Sequence, residues 1–259
     1  MLGLRREPPN FEFLRKLTRT HVSRVTFENV TSILRRAQAG DGQVPPLNRE
    51  AALRAWIGRR GGGVCFEVVD MLGTLLDGLG FTTHAVLAKI SFEGSHQANV
   101  VELAGGARYM VDAGNGAPFF EPIPIFENQR GVEFSHAGLA YRFRPAADLP
   151  GHLVQDRLIK DVWRPFCTYN LAPSSDAGRT RAYQRHHTRG QSWVVDNLTL
   201  VRPTDDAVWA LRDNRLTHHT ARGKTVTTLK APADYARAAA ELFEVPAAPI
   251  DAALAALQQ

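Results

Sequence analysis

The chain has 259 residues, 44% apolar and 22% charged, ordinary proportions for a folded protein that buries its own core. Two cysteines far apart, Cys65 and Cys167, are too few for a disulfide framework, so both are expected as free thiols in a reducing compartment. The formal charge of +5 is carried by dispersed arginines and not by a basic block, which suits an anionic small ligand better than nucleic acid.

No apolar run reaches the roughly 18 to 20 residues of a membrane span, because Glu67, Asp70 and Asp77 interrupt the longest one. The opening MLGLRREPPNFEF has no apolar stretch after its arginines, unlike a secretory signal. A cytoplasmic protein without a membrane or nucleic-acid partner is the expectation.

In chain order, the N-terminal part reads as helical. Through FEFLRKLTRTHVSRVTFENVTSILRRA, Phe11, Leu14 and Leu17, then Val30, Ile33 and Leu34, recur at helical spacing. LNREAALRAWIGRR adds Leu47, Leu53, Trp56 and Ile57 beyond Pro45 and Pro46. A helix then starts at the glycine run, with Val68, Leu72, Leu75, Leu76 and Leu79 on one stripe, and GLGF (Gly78 to Phe81) ends it.

After Phe81 the period drops to two. THAVLAKI, NVVEL and ARYMVDA read as strands, with AGGA (Ala104 to Ala107) as a hairpin turn between the last two. YRFRP and WVVDNLTLVRP are further strand candidates, and LTHHTARGKTVTTL is a hairpin around Gly223. Helices return in PADYARAAAELF from Pro232 and PIDAALAALQ from Pro249. Helices, then strands, then a mixed end predict an α+β fold and not a βαβ repeat.

The stretch RRGGGVCFEVVD raises the chemical question. A thiol in the first turn of a helix meets unpaired backbone N–H groups and the positive end of the dipole, which favour the thiolate. The glycines allow a close backbone approach. The alternative is a buried structural thiol at a tight turn. A nucleophile needs a base and the base an orienter, and the hairpin offers both in His96 and Asp112. A four-residue AGGA loop would set Asp112 opposite Asn99, on the wrong face for His96; a bulge, or a loop of three or five residues, brings the two together. So arranged, Asp112 fixes the His96 tautomer, His96 keeps Cys65 ionised, and N–H groups at the Cys65 turn can serve an oxyanion.

Other candidates carry less. The adjacent pairs His186 and His187, and His218 and His219, diverge in extended chain, so no metal site is expected. Glu67 and Asp70 suit a helix first turn, and Cys167 reads as a core or pocket-wall thiol. No P-loop, G-x-S-x-G, dinucleotide fingerprint or H-E-x-x-H is present.

These motifs together resemble the arylamine N-acetyltransferase family. TFENV (Thr26 to Val30) is similar to its F-E-N-L element, RRGGGVCFE to its R-G-G-x-C-F/Y-E motif, and SHQANVVEL with YMVDAGNG to its histidine strand and V-D-V-G-F-G motif. DNRLTHHTARGKTVTTL is similar to its C-terminal hairpin. The resemblance implies a helical bundle (1–82) carrying the nucleophile, a β-barrel (83–185) carrying the histidine and aspartate, and an α/β lid (186–259). It implies a Cys65, His96, Asp112 triad, with Phe27, Val64 and Asn115 at the substrate, and ping-pong transfer from acetyl-CoA or another acyl-CoA to an amine or hydrazine. No permanently bound cofactor is implied.

Three positions depart from the family pattern. Gly61, preceded by Arg60, stands where an arginine is expected; Val69 replaces an asparagine; Asn115 replaces the aromatic that lines the acceptor pocket. Asparagine removes a stacking face and adds polar groups that want partners. Two alternatives therefore stand beside the first reading: a natural-product amide synthase taking its acyl chain from a carrier protein, and a thiol hydrolase or amidase with the same triad. A third is a binding protein with an inert thiol.

Overall fold

A computed structural model describes residues 2–59, 62–125 and 131–258. Helix α1 (Phe11–Arg24) opens at Asn10, whose side chain accepts from the Phe13 N–H, and it buries Phe13, Leu14, Leu17 and Val22. The helical reading does not continue through TFEN: β1 (Phe27–Glu28) interrupts it before α2 (Val30–Ala39). Side-chain bonds draw the backbone out here. Glu28 accepts from the N–H and hydroxyl of Thr31, while Asn29 donates to the Val194 carbonyl at 2.9 Å and accepts from the Thr199 N–H at 2.7 Å.

Helix α3 (Arg49–Arg59) starts just after Leu47, and α4 (Cys65–Leu79) begins at the cysteine. Gly80 ends α4 in the left-handed region at φ 94°, a conformation glycine adopts without a Cβ penalty. Arg60 and Gly61, where an arginine was expected, lie outside the described residues.

Eight antiparallel strands follow: β2 (Thr82–Lys89), β3 (His96–Glu102), β4 (Arg108–Val111), β5 (Ile123–Pro124), β6 (Val132–His136), β7 (Leu139–Pro145), β8 (His152–Ile159) and β9 (Val162–Asn170). Their order, β5-β4-β3-β2-β9-β8-β7-β6, curls around Val86, Val100, Met110, Phe119, Phe143 and Tyr169 as a nearly closed barrel. Sequence reasoning missed β8 and β9. Buried Gln155 and Asp156 break the apolar alternation of β8, and Pro165 interrupts β9.

Helix α5 (Asp176–His186) was missed too, since only Ala182, Tyr183 and His186 of its largely polar sequence are buried. WVVDN forms turns and not a strand. Beyond it β10 (Thr199–Pro203), β11 (Ala207–Arg212), β12 (Arg215–Thr220) and β13 (Gly223–Thr228) join β1 in a second sheet, ordered β1-β10-β11-β12-β13. Helices α6 (Pro232–Phe243) and α7 (Ala247–Ala256) close the chain, with α7 capped by Pro246 and opening before Pro249. Among the described residues no helix is long and apolar enough to cross a membrane.

One register decides the geometry of the site. Asn99 faces Val111 and Val101 faces Tyr109, so the β3–β4 loop is five residues, Leu103 to Ala107, and not the four-residue AGGA turn. The Leu103 N–H closes it on the Ala107 carbonyl at 2.9 Å. Asp112, the next residue after β4, thereby comes opposite Ala98 and shares a face with His96.

Candidate active site

Cys65 is the first residue of α4 and is buried. Its N-cap, Val64, has no side-chain acceptor, so the N–H groups of the first turn keep their positive end free of a cap. Two glycines permit the packing around it. A Cβ on Gly62 would lie 1.5 Å from the Thr26 carbonyl oxygen, and one on Gly114 would lie 2.8 Å from Cys65 Cα. The glycine run thus lets the chain pass under β1, where Gly63 bridges Phe27 in parallel.

His96 Nε2 donates to Asp112 Oδ2 at 2.8 Å, and both side chains are closed to solvent. The Cys65 thiol is near enough to the same imidazole to add to the upward pull on its pKa; with Nε2 committed to Asp112, Nδ1 is the nitrogen left to face it. Burial alone would lower the His96 pKa. The charge and hydrogen bond of Asp112, followed by the pull of Cys65, outweigh it and raise the value from 6.5 to about 10. His96 is therefore an imidazolium at neutral pH.

Asp112 is held from several sides. Its Oδ1 accepts from the Gly114 N–H at 3.1 Å, and its Oδ2 also accepts from the Tyr169 hydroxyl at 2.6 Å and from Asn115 Nδ2 at 3.3 Å. Burial and then the Asp112 charge push the Tyr169 phenol well above its usual 10, so Tyr169 stays a donor. Asn115 Nδ2 also reaches Gln155 Oε1 at 3.2 Å, and its Oδ1 accepts from Arg157 Nη2 at 3.1 Å. The polar groups that replace the expected aromatic thus have partners, and they lie on the Asp112 side of the site.

Phe27, Val64 and Asn115 line one cavity of about 830 Å³ together with Cys65 and His96. Asp112 stands behind His96. Trp193, Val201 and Val208 from the C-terminal segment complete much of its apolar wall.

Tyr169, Gln155 and Arg157 escaped sequence reasoning, which weighed His186 only as a metal ligand. His186 Nε2 donates to the Ser95 carbonyl at 2.9 Å, and Nδ1 lies 2.7 Å from Ser192 Oγ. The imidazole ties the end of α5 to the residue before His96. Glu67 lies in the first turn of α4 and also pairs with Arg35 at 2.6 Å and accepts from Tyr183 at 3.0 Å. Asp70 takes Arg179 at 2.9 Å and Gln97 at 2.7 Å. Cys167 is buried, and that burial pushes its thiol well above 9.0, as suits a core thiol. Among the described residues no cluster of His, Cys, Asp and Glu is placed to hold a metal ion.

Known proteins repeat this arrangement of elements. The sequence profile described as N-acetyltransferase matches residues 10–248. The arylamine N-acetyltransferase of Mycolicibacterium smegmatis is 26% identical over 230 residues, 84% of this chain and 79% of that protein. The solved arylamine N-acetyltransferase of Mycobacterium abscessus superposes with a TM-score of 0.84 at 21% identity, over 100% of this chain and 92% of that one. The Mycobacterium marinum enzyme in complex with CoA gives 0.82 at 20% identity, over 98% and 95%. With nearly the whole chain matched in sequence and in fold, this protein belongs to the arylamine N-acetyltransferase family of acyltransferases.

Proposed function

We propose that the protein transfers an acyl group from an acyl-CoA thioester to an amine, hydrazine or related nucleophile, by a ping-pong route through acyl-Cys65. One observation carries this reading: the buried chain Cys65, His96, Asp112 at the uncapped start of α4, facing a large cavity. The relative solved with CoA supports the donor class.

In the first half-reaction the Cys65 thiolate attacks the thioester carbonyl. The oxyanion is met by N–H groups at the helix start, and the departing CoA sulfur takes the proton of His96. In the second half the amine attacks the acyl-cysteine carbonyl, gives its proton to His96 and expels the thiolate. Asp112 holds the imidazole in register throughout and stabilises its charged form. Phe27 and Val64 wall the acyl and acceptor space; Asn115 borders it and braces Asp112.

The three units 1–82, 83–185 and 186–259 serve as nucleophile carrier, base and acid carrier, and lid. Acyl-CoA and two free thiols suit a cytoplasmic setting. Intact-mass spectrometry tests the reading. Acetyl-CoA should add one acetyl to Cys65, stable until an amine is supplied. An adduct lost without any amine would make the protein a hydrolase, and an adduct formed only from carrier-protein thioesters would make it an amide synthase. Absence of any adduct would sink the acyl-cysteine route.

A further inference from the structure

The cavity has a positively charged side that the acyl-transfer steps leave unused. Arg157 lines it together with Cys65 and His96. A guanidinium has five N–H donors, and among the described residues one is engaged, Nη2 to Asn115 Oδ1 at 3.1 Å. Nε is buried without a partner. Among the described residues no carboxylate pairs with Arg157.

The neighbouring chain is arranged differently. Asp156, one residue earlier, takes both Arg142 and Arg144 at 2.7 to 3.2 Å. The Asp112 charge reaches Arg157 only across Asn115 and is already committed to His96 and Tyr169. Burial drags the Arg157 pKa down from 12.5, the mark of a cation kept out of water without full compensation. Such a group is costly to retain unless something supplies an anion.

The local backbone holds it in this place. Gln155 pairs with Cys167 and Asp156 with Pro165, so Phe166 is an extra residue on β9, and a bulge of this kind re-aims side chains. The Phe166 ring sits 3.2 Å from the Arg157 guanidinium carbon and fixes its plane. Tyr141 stands opposite Arg157 across the β7–β8 pair and also lines the cavity. Its phenol is pushed up to about 12 by burial, so it remains a neutral donor beside the cation.

Resting on the acyl-transfer reading, we propose that Arg157, with Tyr141 beside it, is a subsite for a carboxylate carried by one of the two substrates at the end remote from its reacting atom. A planar, fixed guanidinium suits a planar carboxylate. The rest of the substrate is apolar or aromatic, matching Phe27, Leu139, Trp193 and Val201 on the walls. The carboxylate can come from the acyl group or from the acceptor.

Two matched comparisons of kcat/KM tell these sources apart: succinyl-CoA against butyryl-CoA with aniline as acceptor, and 4-aminobenzoate against its methyl ester with acetyl-CoA as donor. The wild-type protein should prefer the carboxylate in one pair by roughly tenfold or more. That pair names the source. Arg157→Met should bring the ratio near unity, and Arg157→Lys should keep part of it. Equal use of both members in both pairs by the wild type overturns the subsite before any variant is made, as does a preference that survives Arg157→Met. If acetyl-CoA acylates Cys65 yet no carboxylate preference exists, only this inference fails. If no donor acylates Cys65, the acyl-transfer reading fails with it.

Discussion

The Tyr169 hydroxyl donates a 2.6 Å hydrogen bond to Asp112 Oδ2, the same oxygen that receives His96 Nε2 at 2.8 Å. The carboxylate is thus fixed from the far wall of the barrel, by a strand that carries none of the recognisable motifs. Asp112→Asn should therefore do more than remove a charge, because its amide can present a donor to His96 and select the wrong tautomer. A fall in kcat of about 10⁴ is expected when turnover is read well below the thermal midpoint, which should itself drop at neutral pH because the carboxylate that holds the His96 charge is gone. Tyr169→Phe should cost about 1 kcal/mol of stability and far less activity. An Asp112→Asn protein keeping a tenth or more of its turnover would remove Asp112 from the mechanism.

The His96 shift makes a signed prediction for alkaline pH. Its value is about 10 in the fold, against 6.5 for the free side chain. The stability linked to its charge is fully present below 6.5 and drains away as pH rises toward 10, because the folded state holds a proton that the unfolded chain has lost. Denaturant midpoints from pH 6 to 10.5 should decline more steeply in wild type than in His96→Gln. Turnover should lose its alkaline limb near pH 10 as the imidazolium disappears. Parallel stability curves for the two proteins would contradict the assigned charge.

Sequence reasoning could find α4 and the His96–Asp112 hairpin because each is written locally: a glycine run, an apolar stripe, a glycine turn. It left the shared face of His96 and Asp112 open, since one residue of loop length reverses every side chain, and only the five-residue loop closes the question. Tyr169, Gln155 and Arg157 were illegible for a different reason. They lie on β8 and β9, where buried polar groups and a bulge erase the period-two pattern. Asn115 was read as the loss of an aromatic wall; its amide partners could not be named, because they come from those same strands.

Gly114 offers a test of close packing. Its backbone angle is open to any residue, but an added Cβ would meet Cys65 Cα at 2.8 Å and Val69 Cγ2 at 2.9 Å. Gly114→Ala should cost about 1–3 kcal/mol by overpacking, and activity should fall disproportionately because the displaced atoms are those of the cysteine. Gly105→Ala is the matched control. Its φ of 93° strains a Cβ, but nothing lies within 4 Å, so it should lower stability alone. Equal activity losses in the two variants would argue against a tight Gly114–Cys65 contact.

Arg35 and Glu67 carry a second structural prediction. Glu67 is buried, and its charge is met by Arg35 at 2.6 Å with the Tyr183 hydroxyl at 3.0 Å. Arg35→Met leaves that carboxylate with the phenol alone. A destabilisation of about 3 kcal/mol is expected, visible in chemical denaturation, and Arg35→Met with Glu67→Gln together should recover part of it. A double variant as unstable as the sum of the single losses would show that the two side chains are not coupled.

His186 should govern part of the acid response. Its Nε2–H donates to the Ser95 carbonyl, so Nδ1 accepts from the Ser192 hydroxyl, which in turn accepts from the Val194 N–H at 3.3 Å. This closed set of bonds needs the neutral ring. Burial lowers the His186 pKa to about 4, against the weaker upward pull of the Ser95 bond. The unfolded chain takes a proton near 6.5 that the fold refuses until about 4. Stability from the neutral ring is therefore complete above 6.5 and is lost progressively as pH falls through that window, by roughly 3 kcal/mol. Glutamine can place an amide N–H near the Nε2 position without titrating. The His186→Gln protein should start less stable at pH 7.5 and lose less on acidification, so the two stability curves converge toward pH 4. Because Ser95 precedes His96, activity should fall with the same substitution while the alkaline limb set by His96 stays in place. Curves that remain parallel from pH 7 to 4 would rule out His186 as the titrating group.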